Sequence, residues 1–152
     1  MIVFRAASVD DVPAMTALMQ RAFDPRFGEA WSGTQLYGTL ALPGAAAEVA
    51  VAGGQLCGFT LVRRAVDEVE LLLIAVDPAK RRRGVGRQLL DRAIGSCRSD
   101  GVRQIHLEVR ACNAAATQLY AGAGFIAIGR RSAYYHGSNS ESFDAITMSL
   151  AL

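Results

Sequence analysis

Residues Val69 to Val76 read Val-Glu-Leu-Leu-Leu-Ile-Ala-Val, an almost unbroken apolar run. Such a run needs cover on both faces, so it predicts a central strand. A basic, glycine-containing loop follows, Lys80-Arg-Arg-Arg-Gly-Val-Gly86. Then Val85, Leu89, Ala93, Ile94 and Cys97 recur at helical spacing, and Gly101 closes the helix. Next Ile105, Leu107 and Val109 alternate with His106, Glu108 and Arg110, a strand pattern. Strand, helix and strand in this order make a right-handed crossover between parallel neighbours.

The rest of the chain is arranged around that unit. Ile2 to Arg5 is a short strand, and Ser8 or Asp10 caps a helix carrying Val12, Met15, Met19 and Ala22. Ser32-Gly-Thr-Gln35 has the spacing of a capping box and opens a second helix through Leu36 and Leu40. Val49 to Ala52 and Leu56 to Val62 flank Gly53-Gly54, which reads as a hairpin. Asn113 caps a helix through Leu119 and Tyr120 that stops at Gly122 and Gly124. Phe125 to Arg130 and Ala145 to Leu150 form a last strand pair, joined through the loop-like Gly137-Ser-Asn-Ser-Glu-Ser142. The expected fold is a single mixed α/β domain over residues 1–152, its sheet mostly antiparallel around one parallel crossover.

At 152 residues, 51% hydrophobic and 20% charged, the chain can bury a core without staples. A net charge of +2 makes no case for nucleic acid. The cysteines, Cys57, Cys97 and Cys112, are odd in number and form no paired motif, so buried free thiols in a reducing compartment are expected. His106 and His136 have no companions at metal-ligand spacing. The N-terminus lacks a basic segment followed by an apolar run, and no stretch has the length of a membrane span, so a cytoplasmic protein is expected.

The loop after the central strand carries the chemistry. A helix N-terminus presents unpaired N–H groups and partial positive charge to phosphate. Gly84 and Gly86 let the backbone approach closely, with Arg81 to Arg83 and Arg87 nearby. A dinucleotide fingerprint would need a third glycine or alanine where Leu89 stands, and a Walker loop would need Gly-Lys-Ser/Thr. Otherwise the segment is a solvated basic helix start.

Arg81-Arg-Arg-Gly-Val-Gly86 after Ile74-Ala-Val-Asp-Pro78 resembles the acetyl-coenzyme A signature of the GNAT superfamily of N-acetyltransferases. Leu107-Glu-Val-Arg-Ala-Cys-Asn113, Leu119-Tyr120, Gly124-Phe125, Tyr134-Tyr135 and Asp144-Ala-Ile-Thr-Met148 are similar to its bacterial ribosomal-protein-alanine branch. The resemblance spans essentially the whole chain. It implies helices on both faces of the sheet, acetyl-coenzyme A as co-substrate, no metal, and a protein N-terminal alanine as acceptor. It further implies that the central strand splays from its parallel neighbour, freeing backbone for the pantetheine arm. Ile74, Ala75, Val76, Arg82, Arg83, Gly84, Val85, Gly86, Arg87 and Asn113 would then hold the donor. One departure stands out: the family's compact Ala-Phe-Pro-Trp-Ser stretch is here Ala22-Phe23, then Asp24 to Ala30, then Trp31-Ser32. That segment would border the acceptor.

Acetylation of an amine needs a base, donors for a developing oxyanion and a proton for the leaving thiolate. Glu108, opposite in direction to Leu107 and Val109, is the candidate base, and the resemblance assigns it the same role. The alternative is a surface carboxylate paired with His106 or Arg110. Tyr120, on the helix after Asn113, is the candidate acid: the resemblance puts its hydroxyl near the thioester sulfur, and a tyrosine keeps its proton at neutral pH. Otherwise it packs in the core. The Val76 N–H is the candidate to polarise the thioester carbonyl. Tyr134, Tyr135 and Trp31 (with Phe27) are candidates to wall the acceptor site, or else edge and core aromatics. A lysine or small-molecule amine remains an alternative acceptor. A coenzyme A-binding partner protein without turnover is the alternative to an enzyme.

Overall fold

The computed structural model describes residues 1–152 and turns these periodicities into seven strands and four α-helices. The strands are β1 (Ile2–Ala6), β2 (Ala45–Ala52), β3 (Gln55–Ala65), β4 (Glu68–Val76), β5 (Gln104–Arg110), β6 (Ile126–His136) and β7 (Ser142–Ala151). The helices are α1 (Val12–Ala22), α2 (Gly33–Leu40), α3 (Val85–Ser99) and α4 (Ala114–Gly122). The strands form one sheet in the order β1-β2-β3-β4-β5-β7-β6, antiparallel throughout except between β4 and β5. α3 is the crossover between that parallel pair. The fold is therefore the expected mixed α/β arrangement, and β7 lies between β5 and β6.

Capping sets the helix starts. Ser32 Oγ accepts from Gln35 N at 3.1 Å, and Gln35 Oε1 accepts from Ser32 N at 2.8 Å. Asn113 Oδ1 accepts from Ala116 N at 3.1 Å. Near the N-terminus the cap is neither direct nor at Asp10. Ser8 opens a short 3₁₀ turn over Val9–Asp11, and α1 begins after it. Asp11 is held there by Ser8 N and by a bidentate contact from Arg5, every distance 2.8 Å.

Helices cover both faces. Met15, Leu18 and Met19 of α1 and Leu36 of α2 pack on Val49, Phe59, Leu61, Leu73 and Ala75. On the other face Leu90, Ile94 and Cys97 of α3 and Tyr120 of α4 pack on Val69, Leu71, Leu107 and Met148. Each large apolar side chain so enclosed contributes about 1.5–3 kcal/mol. Gly58 lets α3 approach the sheet, since a Cβ there would lie 3.0 Å from Leu89 Cδ1 and 3.1 Å from the Ala75 carbonyl oxygen. Cys57 and Cys97 are buried free thiols, but Cys112 is exposed, correcting the expectation for all three. It lies in the turn after β5, outside either core layer. No helix is long and apolar enough to cross a membrane.

β4 changes face midway. Val69 and Leu71 join the α3–α4 layer, whereas Leu73 and Ala75 join the α1–α2 layer. Strict alternation would keep all of them together. Leu61 pairs with Leu73 and Val62 with Leu71, so Leu72 is a bulge. A bulge bends its strand. Here it coincides with the end of the β4–β5 ladder at Glu70↔His106, although β4 stays on β3 as far as Gly58↔Val76.

Candidate active site

Past that ladder end, β4 and β5 diverge and a cleft of about 1140 Å³ opens between them. It exceeds the ~300–1,000 Å³ of an ordinary small-molecule pocket. Ile74, Ala75 and Val76 line it from β4, with no β5 partner across the gap. At one end stand Gly84, Val85, Gly86 and Arg87 at the start of α3, with Lys80, Arg81 and Arg82. Gly84 has φ +77°, a left-handed conformation that favours glycine. A Cβ on Gly86 would meet nothing closer than Val76 Cγ2 at 3.5 Å, so packing does not demand glycine there. Arg81 is held by the Ala22 carbonyl oxygen at 2.7 Å, and Arg87 by Asp91 at 2.9 Å. Asn113 lines the cleft as well as capping α4. Arg83 is the one expected donor-side residue outside the lining: the left-handed turn at Arg82 (φ +64°) precedes it.

Glu108 is neither on the open surface nor paired with His106 or Arg110. Its side chain is 16% exposed and lines the cleft. Thr147, its register partner on β7, donates to Oε2 at 2.8 Å, and Arg131 of β6 lies 3.4 Å from Oε1. Tyr135 donates its hydroxyl to the Glu108 carbonyl oxygen at 3.3 Å. Tyr134 meets Tyr135 edge-on at 4.9 Å between centroids, with the Arg131 guanidinium 4.3 Å from its ring centre. Both tyrosines line the cleft.

β6 runs further than the expected Phe125–Arg130, because it absorbs a bulge. Arg131 pairs with Ala145 and Tyr135 with Phe143, four steps against two. Asp144 ties the excess down, accepting from Ala133 N at 3.0 Å and from Arg130 Nε at 2.8 Å, where Ala133 has φ +50°. Those contacts, the Ala133 N–H first, draw the Asp144 carboxyl below its usual pKa.

Tyr120 enters from α4, buried and edge-on to Phe125 at 5.8 Å, and also lines the cleft. Its packing and site readings are thus compatible. Burial, with a smaller effect from the Glu29 charge, pushes its hydroxyl pKa upward, so it keeps its proton. Burial acts in the same direction on Tyr135.

Trp31 and Phe27 close the cleft from the segment between α1 and α2. An ion pair that sequence reasoning did not foresee anchors this wall. Arg110 lies 3.6 Å from the Phe27 ring centre and pairs with Glu29 at 3.2 Å, both charged side chains being 15% exposed or less. The Arg110 guanidinium also donates to Cys112 Sγ at 2.7 Å. Arg110 and Glu108 are two apart on one strand and so share a face, the available clue. Glu29 is 81 residues distant and gave none. Thr147 and Arg131 were likewise missed as partners of Glu108. No group of three or more His, Cys, Asp or Glu side chains is placed to hold a metal ion.

Comparison with known proteins fits this geometry. Residues 12–125 match the acetyltransferase (GNAT) family model. The [ribosomal protein bS18]-alanine N-acetyltransferase of Escherichia coli K12 is 40% identical over 99 residues, 65% of this chain and 66% of that protein. The N-alpha-acetyltransferase RimI of Mycobacterium tuberculosis is 40% identical over 95 residues, 60% of this chain and 58% of that one. The match therefore spans about two thirds or less of these relatives. The crystal structure of the E. coli ribosomal-protein-S18-alanine N-acetyltransferase superposes with a TM-score of 0.89 at 33% identity, over 99% of this chain and 94% of that one. The splayed strands, the glycine-led helix start and the family match agree: the chain belongs to the GNAT acetyltransferases, enzymes that take their acetyl group from acetyl-coenzyme A.

Proposed function

We propose that this chain, a single cytoplasmic domain, acetylates the N-terminal α-amine of a protein, with the N-terminal alanine of a small-subunit ribosomal protein as acceptor. The observation that carries the reading is the placement of Glu108 and Tyr120 on one cleft, entering from β5 and α4 respectively. The α3 start, with its free N–H groups and the cations Arg82 and Arg87, suits a pyrophosphate. The β4 edge at Ile74, Ala75 and Val76 suits an amide-bearing arm, and Asn113 borders the same space. Acetyl-coenzyme A, when bound, supplies the activated acetyl group.

The chain's own residues would then do the following. Glu108, held by Thr147 and Arg131, takes a proton from the acceptor ammonium, directly or through a water. The Val76 N–H would polarise the thioester carbonyl and favour its oxygen as it gains charge. The freed amine nitrogen attacks the thioester carbon, the carbon–sulfur bond breaks, and Tyr120 gives its proton to the departing sulfur and regains the one shed by the new amide nitrogen. Tyr134, Tyr135 and Trp31 wall the acceptor backbone and exclude water. The names borne by the relatives, of E. coli and M. tuberculosis, support the α-amine acceptor.

Mass spectrometry of ribosomal-protein N-termini from cells with and without the gene tests this. An N-terminal alanine that loses 42 Da (one acetyl) on deletion, and regains it with the purified enzyme and acetyl-coenzyme A, is the expected result. Unchanged N-termini, with acetylation of lysine or small amines instead, would overturn it.

A further inference from the structure

We infer that Thr147 is a positioning residue for the acetyl transfer: its hydroxyl fixes Oε2 of Glu108 and so makes Oε1 the atom that takes the acceptor's proton. The inference rests on Glu108 as the base, as proposed above. It comes from the unequal way in which the two carboxylate oxygens are held.

Nothing else in the fold engages the Thr147 hydroxyl. Thr147 stands on β7 between Glu108 of β5 and Gly129 of β6. Its neighbours Ile146 and Met148 pack in the α3–α4 layer, so Thr147 shares the opposite face with Glu108. Gly129 offers no side chain, and a Cβ there would stay 3.9 Å from Thr147 Oγ1. The bulge between Ala127 and Gly129 sets that glycine across from Thr147. The hydroxyl therefore has one side-chain partner, Glu108 Oε2, at 2.8 Å. Threonine is branched at Cβ, which makes its χ1 stiff. Half-buried on an inner strand, Thr147 is a fixed donor.

The two oxygens differ. Oε2 accepts a short bond from a neutral donor that stays in place. Oε1 has only Arg131, at 3.4 Å, and that side chain is 56% exposed. A contact so long and so exposed is worth little and exchanges readily. The Arg131 guanidinium also lies 4.3 Å from the Tyr134 ring centre, so it can give up Oε1 and keep a second contact. Tyr135 holds the Glu108 backbone carbonyl at 3.3 Å, which fixes the strand beneath the carboxylate as well.

Fixing one oxygen matters because the terminal torsion of a glutamate is broad. A carboxylate free to turn aims a lone pair at the acceptor only part of the time. A hydroxyl on Oε2 stops the rotation and spares Oε1. The acceptor ammonium then takes the place of Arg131. Its N–H bond breaks, the electron pair stays on nitrogen, and the proton binds Oε1. Misplacing a reacting group by about 1 Å can cost ~10²-fold in rate, so the Thr147 bond bears on kcat rather than on donor binding.

The test is a double-mutant cycle on thiol release, with chemistry rate-limiting. Thr147→Val replaces the hydroxyl with a methyl group and should lower kcat about 10- to 100-fold, with the affinity for coenzyme A unchanged. Thr147→Ser, which keeps the hydroxyl, should recover most of the rate. Added to Glu108→Gln, Thr147→Val should cost almost nothing further, because the base it positions has gone. A merely structural role predicts the same loss in either background, with a matching loss of stability to urea. Thr147→Ala repeats the comparison if valine disturbs the fold. Thr147→Val at the parent's rate, or losses that add in the double variant, overturn the inference. If Glu108→Gln itself keeps the parent's rate, the base falls and this inference with it; a slow Glu108→Gln beside a fast Thr147→Val removes the Thr147 role alone. Rates are read on an alanine-initiated and on a lysine-containing peptide, so an enzyme that acetylates only the lysine overturns the N-terminal acceptor and still reports on Thr147.

Discussion

Glu108→Gln separates chemistry from packing, because the two losses differ in size. Glutamine keeps an acceptor for the Thr147 hydroxyl, now at 2.8 Å from Oε2. What the fold loses is the 3.4 Å contact with Arg131, whose side chain is 56% exposed. Contacts of that kind are worth about 0–1 kcal/mol. Removal of a general base typically costs about 10²- to 10⁴-fold in rate, or roughly 2.7–5.4 kcal/mol. The variant should therefore unfold within about 1 kcal/mol of the parent and bind coenzyme A with the same affinity. Thiol release with an alanine peptide should fall by at least ~100-fold near neutral pH. The defect should narrow as pH rises toward the α-amine pKa of ~8, because solution then supplies more free amine. Thiol release, urea unfolding and calorimetry measure the three quantities on one preparation. A folded variant with the parent's rate at pH 7, where chemistry limits turnover, would eliminate Glu108 as the base. A rate loss matched by an equal loss of stability would show that the carboxylate serves only the fold.

Tyr120→Phe should lower kcat and leave acetyl-coenzyme A binding intact, with a smaller defect on a donor whose thiol has a lower pKa. Equal turnover of both donors at the parent's rate would remove the hydroxyl from the mechanism. Gly86→Val should weaken coenzyme A at least ~10-fold by calorimetry, about 1.4 kcal/mol. Gly86→Ala, whose Cβ meets only ordinary contacts, should fold normally, whereas Gly84→Val would confound the test with strain at φ +77°. Asp11 links stability to acid. Arg5, and then the Ser8 N–H, lower its carboxyl from 3.8 to about 2 in the folded chain. A lowered folded pKa gives stability that is complete above the unfolded value and is lost as pH falls toward 2. Asp11→Asn should flatten that decline in unfolding measured between pH 5 and 2.5, and an unchanged slope would refute the assignment.

What the sequence disclosed was local. The strand-loop-helix unit, the capping of α2 by Ser32 and of α4 by Asn113, and the sidedness of Glu108 all follow from spacing within one element. The Gly84 and Gly86 loop was legible because close backbone approach needs glycine whatever the rest of the chain does. The missed features all depend on pairing at long range. Nothing in the β7 pattern says that it lies between β5 and β6, yet that position puts Thr147 beside Glu108 and brings Arg131 within reach. The sequence also ends β6 too early, since Ala133 at positive φ looks like a loop until Asp144 supplies an acceptor for its N–H. The bulge at Leu72 was hidden for a related reason. An unbroken apolar run satisfies either face, so the change of face leaves no mark in composition. That silence bears on function. The bend that separates β4 from β5, the bulge beside Tyr134 and Tyr135, and the Arg110–Glu29 pair on the wall proposed for the acceptor are all set by partners distant in the chain. Donor chemistry was readable from one contiguous motif, whereas the proposed acceptor side draws on the α1–α2 segment, β5 and the β6–β7 hairpin. On the proposed acceptor site, a change of acceptor can therefore arise at any of these places while the donor motif stays the same.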